Sequence, residues 1–550
     1  MEEGKFEILP EEVMHHIQSF ISSRKAAKTC LLSKSWYTAW CTHPILSFDE
    51  RDFRTIGGFA NFTRKTIQRY RESNLNVPTF RLRFNKIPEI CPITSYLSAL
   101  LSTNRKINES TYLANELILD ALKLGVNDLK FEIDASISSY VLPVQVFAAT
   151  TNLRKLVVSA CTIAIDHWPM INNTLGGVTS SCLTSLSLLD VSIGEDTMTS
   201  ILLGCPLIED FNVHDCKGFS KINVSMMQYN LKKFRVERLL FCESTLSLSI
   251  EIEEPILGPV SNGQISVPKY RNLSSLTLKY VTIDNKFFHN FSHKFPCLEN
   301  LTINRCSGYE DVEIGGPSLK CISFTHVWKL DKAEFDVPSI QKFEFSVVNP
   351  PSMSFTTSSR EWESYISLSG NVDDVSWFNK LRKFLAELSQ SRISLNVNIS
   401  IINEFAYVQY NQGFHIAVVE NLMLGVKPES TMCSALLNNL LCSCHPKFIT
   451  LSGDSHPKFI TLSGDNNLEE RNKKMLGLLI RSEFRQTNPD YLNPAENLLC
   501  NLEKVNVEFF DRTLMQWQSF PPWELFFVYS KIAKGREKIR FRLRWGHFSN

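Results

Sequence analysis

The chain has 550 residues, 43% of them apolar and 21% charged, with a formal net charge of +1. That much apolar chain supports a large core in more than one unit. The balanced charge gives no general pull toward nucleic acid or a membrane surface, and no apolar run approaches the roughly twenty residues of a membrane span.

Residues 9–40 read as three short helices. Pro10 suits the first helical position, where no backbone donor is needed. Glu11 and Glu12 fall in the first turn and favour the positive end of the helix dipole. Val13, Ile17, Phe20 and Ile21 follow at helical spacing and make one apolar stripe. Ser22 and Ser23 break that helix, and either caps the next. Ala27, Cys30 and Leu31 give the second helix a narrow face. Ser33 caps a third, where Trp36, Ala39 and Trp40 share a side. A unit this small has little core of its own. Periodicity alone leaves two readings open: a small bundle packed on the rest of the chain, or a docking module that a partner completes.

The pattern resembles an F-box. The likeness lies in the opening Leu9-Pro10, the apolar spacing through the first helix, and Leu32-Ser33-Lys34 with Trp36 two residues on. Pro44-Ile45-Leu46-Ser47-Phe48-Asp49-Glu50 resembles the segment that closes the motif in plant F-box/leucine-rich-repeat proteins. Two positions depart from it. Ser35 stands where Arg is common, and Lys25 where an acidic residue is common. Both are predicted to be exposed and to bear on docking strength rather than fold.

Through the middle a cassette recurs, Leu-x-x-Leu/Phe-x-apolar. Copies begin at Leu153, Leu183, Leu207, Leu231, Leu273, Leu298, Leu319 and Ile340, so the intervals are 30, 24, 24, 42, 25, 21 and 21. A weaker copy sits at Leu129–Ile133. The spacing predicts a leucine-rich repeat, with one strand per coil and a helical or irregular return. A single coil cannot bury its own apolar edge, so coils stack. The gap of 42 is predicted to hold an extra strand over Leu246–Ile252 and a polar loop near 253–268. Cys205-Pro206-Leu207 and Phe295-Pro296-Cys297-Leu298, followed by Cys216 and Cys306, strengthen the resemblance to the Cys-containing repeats of plant F-box proteins. Those cysteines read as core fillers.

Residues 346–370, rich in Ser, Thr and Pro, mark a weak boundary. Trp377, Phe378, Leu381, Phe384, Leu385 and Leu388 then predict an amphipathic helix. Ile393, Leu395, Val397, Ile399 and Ile401 alternate with polar residues and predict a strand with one buried face. Helix-like Met432–Leu441 and strand-like Val505–Phe509 continue the alternation. This third reads as more degenerate coils and resembles the FBD region of many plant F-box/leucine-rich-repeat chains. His445–Asp454 recurs verbatim at His456–Asp465. The copies are eleven residues apart, too close for successive coils, so they compete for one slot in the sheet. Basic Lys531–Trp545 reads as a capping edge strand with a solvated face, or as a site for an anionic partner.

No phosphate-cradling Gly loop, His-Glu-x-x-His or Gly-x-Ser-x-Gly occurs. Cys433, Cys442, Cys444 and His445 lack the spacing of a structural zinc site. With Glu2, Glu3, Lys5, Glu7, Glu11 and Glu12 in the opening stretch, no secretory signal is predicted. The 15 cysteines are then expected as free thiols in a cytoplasmic or nuclear protein.

The fold expected is α/β: an N-terminal three-helix F-box followed by a leucine-rich-repeat solenoid, or horseshoe. Its parts are the F-box at 1–48, a connector at 49–110, repeats at 111–345 and a C-terminal FBD-like region at 346–550. The resemblance implies a non-catalytic substrate receptor of an SCF-type ubiquitin ligase. In it the F-box binds a Skp-family adaptor, and through it a cullin and a RING subunit, while the repeats bind a protein target. Charge, hydropathy, cysteine spacing and the absence of those motifs lead to the expectation of no cofactor, no metal, no nucleic acid and no membrane partner. Leu9, Pro10, Val13, Ile17, Phe20, Ile21, Ala27, Cys30, Leu31, Leu32, Trp36 and Trp40 are the expected adaptor-binding set, part of which must form the motif's own core. Trp36 is expected as an aromatic anchor, worth about 2 kcal/mol or more at such an interface. Three alternatives stand beside this: a cullin-independent scaffold, a small-molecule-sensing receptor, for which 129–345 lacks a strong basic cluster, and an enzyme carried on repeats.

Overall fold

A computed structural model describes residues 9–85, 103–134, 140–147, 152–164, 182–219, 221–223, 230–237, 249–251, 270–283, 285–370, 375–398, 416–424, 439–451, 502–511, 514–520 and 539–545. The chain divides into two compact units, 1–282 and 283–550.

The first unit opens with three short helices, α1 (Glu11–Ser19), α2 (Ser23–Thr29) and α3 (Lys34–Cys41). Helices α4 (Ile56–Glu72), α5 (Thr103–Lys123) and α6 (Glu195–Gly204) are return segments between strands. The strands are β1 (Ile45–Asp49), β2 (Thr79–Asn85), β3 (Asp128–Asp134), β4 (Lys155–Ser159), β5 (Thr162–Ile163), β6 (Ser185–Leu189), β7 (Ser192–Ile193), β8 (Asp210–His214), β9 (Lys221–Asn223), β10 (Lys233–Glu237), β11 (Ser249–Glu251) and β12 (Ser275–Lys279).

Eight of them, β1, β2, β3, β4, β6, β8, β10 and β12, pair in that order as one parallel ladder. The register stacks like on like. Leu46, Phe80, Leu129, Leu156, Leu186, Phe211, Phe234 and Leu276 form one buried row. Phe48, Leu82, Phe131, Val158, Leu188, Val213, Val236 and Leu278 form the second, two residues along. Each such side chain contributes about 1.5–3 kcal/mol of transfer free energy. A slip of one residue would turn both rows to solvent, so the pattern fixes the register.

Every cassette in this unit is a ladder strand, and the ladder begins earlier than the cassettes do, at Ile45. The 42-residue interval holds an extra strand, but not in the ladder. β11 pairs with β9 in a separate two-stranded sheet, and β10 pairs directly with β12. The polar loop expected near 253–268 lies outside the described residues.

The chain turns sharply after four of the eight ladder strands. Ala160, Asp190, Asp215 and Tyr280 directly follow β4, β6, β8 and β12 and take left-handed φ of 51 to 56°. Their geometry costs about 1 kcal/mol per residue. In return, the amides of Ala160, Asp190 and Asp215 donate to Leu189, His214 and Glu237 of the next strand at 2.7–2.9 Å. Cys161 and Cys216 follow two of these turns and are buried. The Cys216 thiol donates to the Leu188 carbonyl at 3.4 Å, and burial pushes its pKa up to about 12. Cys205, like Cys216, is a core filler, as expected.

The second unit contains α7 (Phe291–Lys294) and α8 (Val375–Glu387). Its strands are β13 (Asn300–Asn304), β14 (Asp311–Gly315), β15 (Cys321–Val327), β16 (Lys332–Asp336), β17 (Lys342–Val347), β18 (Ser352–Thr356), β19 (Glu363–Leu368), β20 (Arg392–Val397), β21 (Ala417–Leu424), β22 (Cys444–Leu451), β23 (Leu502–Asp511), β24 (Gln516–Phe520) and β25 (Ile539–Trp545). β13, β15, β17, β19, β20, β21 and β22 form a parallel ladder, while β14, β16 and β18 make a second parallel sheet from the returns.

The Ser/Thr/Pro-rich stretch at 346–370 does not interrupt this ladder, because β17 and β19 pair across it. One buried row carries a polar residue, Ser364, whose hydroxyl lies 2.7 Å from that of Ser391. Of the two cysteines expected in the core here, Cys306 is buried and Cys297 is exposed, at the turn before β13. The eleven cysteines among the described residues are free thiols.

β22 is the first copy of the duplicated decapeptide; the second copy, and most of Met432–Leu441, lie outside the described residues. The basic tail is not an edge. β25 runs antiparallel between β22 and β23, and β24 pairs beyond β23. Its Arg540 and Arg542 converge on the buried Glu508 at 2.6 and 3.1 Å. Arg540 also lies over the rings of Phe448 and Trp517, at 4.4 and 4.1 Å. A buried carboxylate thus holds Arg540 and Arg542, while Arg542 and Arg544 keep the expected solvated face.

In both units the large parallel sheet in a mixed α/β chain is compatible with a leucine-rich-repeat solenoid.

Candidate docking surface

The three helices hold together through few groups. Met14, Trp36 and Ala39 form a small buried cluster, with Leu9 packed against it. Gln18 is buried beside them, donating to the Thr29 hydroxyl at 2.9 Å and the Trp36 carbonyl at 3.4 Å, so one amide ties α1 to α2 and α3. Pro10 occupies the N-cap of α1, and its carbonyl accepts from Val13 and Met14 at 3.1 and 3.2 Å. Ser33 caps α3, its hydroxyl accepting from the Trp36 amide at 3.3 Å.

A second set of contacts seats the helices on the first strands. His43 is buried, its Nε2 3.0 Å from the His15 carbonyl and its Nδ1 2.8 Å from the Ile45 carbonyl. Burial holds its pKa below the ordinary imidazole value. The Tyr70 hydroxyl donates to the His43 carbonyl at 2.9 Å. The Arg69 guanidinium lies 3.9 Å from the Trp40 ring centroid. Arg24 donates to the Asp52 carbonyl at 2.7 Å.

The expected docking set now divides. Trp36 is 3% exposed and belongs to the bundle's own core. Its ring packs inside the bundle rather than on the surface expected of an aromatic anchor. Leu9, Ile21, Ala27, Cys30 and Trp40 are half-buried. Pro10 is exposed, as are Val13 and Ile17 at 40% each, Phe20 at 76%, Leu31 at 89% and Leu32 at 60%.

The first-helix stripe thus faces away from the cluster. Val13, Ile17 and Phe20 recur at helical spacing on one outward side, while Met14 and Gln18 face in. Sequence reasoning missed Met14, Gln18 and Ala26 as the inward residues and the exposed Tyr37 as an outward one. A Met and a Gln four apart, with Ala26 at the next helix, was the available signal. Scattered exposed apolar residues are ordinary, but five large ones on about twenty residues, off a core this small, make this the candidate docking surface.

Among the described residues no group of three or more His, Cys, Asp or Glu side chains is placed to hold a metal. Cys442 and Cys444 are buried thiols, and the Cys444 thiol donates to the Leu440 carbonyl at 3.4 Å. Among the described residues, no helix is long and apolar enough to cross a membrane.

Fold and surface together are compatible with a leucine-rich-repeat protein that carries a small helical unit with exposed apolar side chains. A family model described as "FBD-associated F-box protein At5g56370, LRR repeats" matches residues 115–257. The chain is 28% identical over 217 residues to the putative F-box/LRR-repeat protein At3g18150 of Arabidopsis thaliana, covering 40% of this chain and 39% of that protein. It is 29% identical over 211 residues to the putative F-box/LRR-repeat protein At3g58920 of the same plant, covering 38% and 41%. With the F-box/LRR-repeat protein At5g02910, also from Arabidopsis thaliana, identity is 25% over 230 residues, 42% of each chain. The chain thus spans about two fifths of the length of the curated relatives it matches. These findings support a plant F-box/leucine-rich-repeat protein. The matched model lies within the repeats, so the assignment of α1–α3 rests on their own residues.

Proposed function

We propose that the chain is a substrate-recognition subunit of an SCF-type ubiquitin ligase. In this reading the exposed apolar side of α1–α3 docks a Skp-family adaptor, which brings a cullin and a RING subunit. The repeats hold a protein target. The chain forms no bond itself; it raises the concentration of a target lysine beside a charged conjugating enzyme, in the cytoplasm or nucleus. The observation that carries the reading is the exposure of Phe20, Leu31 and Leu32, at the ends of helices whose core is made by other residues. Resemblance to F-box/leucine-rich-repeat proteins supplies the identity of the partner. The return segments and outward strand positions of the ladder are the natural target surface, since solenoids bind through extended faces and variable loops.

Affinity capture from plant extract tests this. Deleting residues 1–48 is unsuitable, because it removes Leu46 and Phe48 from the first ladder strand. Phe20→Asp with Leu31→Asp leaves the ladder untouched. Adaptor and cullin should vanish from the captured set while the target stays. Retention of the adaptor by that double variant would refute the docking surface. Adaptor without cullin from the unaltered chain would favour a cullin-independent scaffold.

A further inference from the structure

Between Glu12 and Asp49 the chain holds no acidic residue, yet Arg24, Lys25, Lys28 and Lys34 all lie there and all are exposed. Two of them bracket the most exposed apolar pair. The Leu31 amide donates to the Lys28 carbonyl at 3.2 Å, and Lys34 is the first residue of α3, two residues past Leu32. Among the described residues no carboxylate pairs with Lys25, Lys28 or Lys34. Arg24 contacts a carbonyl and the Phe53 ring, at 5.9 Å, and neither neutralises its charge. Elsewhere in this unit several basic groups are matched: Arg64 with Glu116, Arg71 with Asp120, Lys130 with Glu132, Lys232 with Glu209 and Lys279 with Glu237. Four exposed cations with no acidic residue in the intervening chain thus lie beside the exposed Leu31 and Leu32.

We infer that the partner surface receiving the α2–α3 turn is acidic: an apolar pocket for Leu31 and Leu32, rimmed by Asp or Glu carboxylates that face Lys25, Lys28 and Lys34. This rests on the docking reading and adds the electrostatics of its partner. Rim charges of this kind act mainly on encounter, accelerating association at low salt, and they reject a partner whose rim is basic. Lys25, which departs from the acidic residue common at its position, makes this chain selective among adaptors that share an apolar pocket but differ in rim charge.

The test uses the full chain and a panel of purified plant Skp-family adaptors, with association rates measured at roughly 0.05 M and roughly 0.5 M salt, on either side of a Debye length of about 10 Å. The unaltered chain should associate about tenfold faster at low salt. Reversing three charges, Lys25→Glu with Lys28→Glu and Lys34→Glu, should slow low-salt association by about tenfold or more and remove the salt dependence. The neutral pair Lys28→Gln and Lys34→Gln should give an intermediate effect with the fold undisturbed. An unaltered chain indifferent to salt, or a reversed variant that matches it, would overturn the inference. In that event, loss of binding by Leu31→Asp would still uphold the docking reading. If Leu31→Asp binds as well as the unaltered chain, the docking reading fails and the inference falls with it.

Discussion

Two substitutions in the opening unit should fail in opposite ways. Trp36 is the largest member of a cluster otherwise made of Met14, Ala39 and part of Leu9. Its indole nitrogen is buried with no partner, so truncation forfeits packing alone. Trp36→Ala should cost about 3–5 kcal/mol, the range for emptying a large aromatic site. That exceeds what so small a cluster supplies, so α1–α3 should open locally while the ladder stays intact. Leu31 is 89% exposed, and Leu31→Ala should change stability by no more than about 0.5 kcal/mol. On docking it forfeits burial of a leucine, about 1.5–3 kcal/mol, or roughly a tenfold to hundredfold loss of affinity. Hydrogen exchange over residues 11–41 reads the first effect, and adaptor titration the second. The division of core from surface would be refuted if Trp36→Ala kept its protection, or if Leu31→Ala lost protection as well as affinity.

His445 stacks on Trp545 at 4.2 Å, and burial, with Arg382 adding to it, holds its pKa down to about 4 against 6.5 when free. Below pH 6.5 the unfolded chain takes up a proton that the folded chain refuses, so this stability is complete above that value and drains as pH falls toward 4. The loss should reach about 2 kcal/mol after allowance for partial exposure, seen as a steeper fall in urea midpoint than His445→Gln shows. Gly218 has φ of +95°, and a Cβ there would sit 2.6 Å from the Ile193 carbonyl oxygen. Gly218→Ala should destabilise by more than about 1 kcal/mol, whereas Gly57→Ala, in open space within α4, should be neutral or stabilising by up to about 1 kcal/mol; thermal unfolding of the pair checks the contrast. Removing the guanidinium from the Trp40 face with Arg69→Met should cost about 1 kcal/mol and raise exchange across α1–α3 without touching the ladder.

The strands were legible because their chemistry is periodic. Leu156 and Val158, or Phe234 and Val236, alternate with solvated neighbours and so announce one buried face. β2 alternates as cleanly, with Phe80, Leu82 and Phe84 buried, but Val77-Pro78 stands where a cassette has its leading leucine, and the repeat template passed over it. The course of the long interval was not legible, because Ser249–Glu251 reads the same whether it joins the ladder or a side sheet. The tail strand was misread for a related reason: nothing near Arg540 in sequence shows Glu508, thirty-two residues away. In the opening unit, Val13, Met14, Ile17, Phe20 and Ile21 spread over more than one side of α1. Which side turns inward depends on Gln18, whose two hydrogen bonds exist only once all three helices are assembled.

The direct pairing of β10 with β12 bears on how such ladders tolerate insertions. The excursion between them is twice the 21 residues that separate β15 from β17, yet both pairs keep a parallel register with stacked apolar rows. Closing a segment twice as long costs only about 0.6 kcal/mol in chain entropy. Insertions can therefore accumulate between strands at almost no thermodynamic penalty. The ladder scaffold stays constant while the sequence between its strands remains free to lengthen and vary.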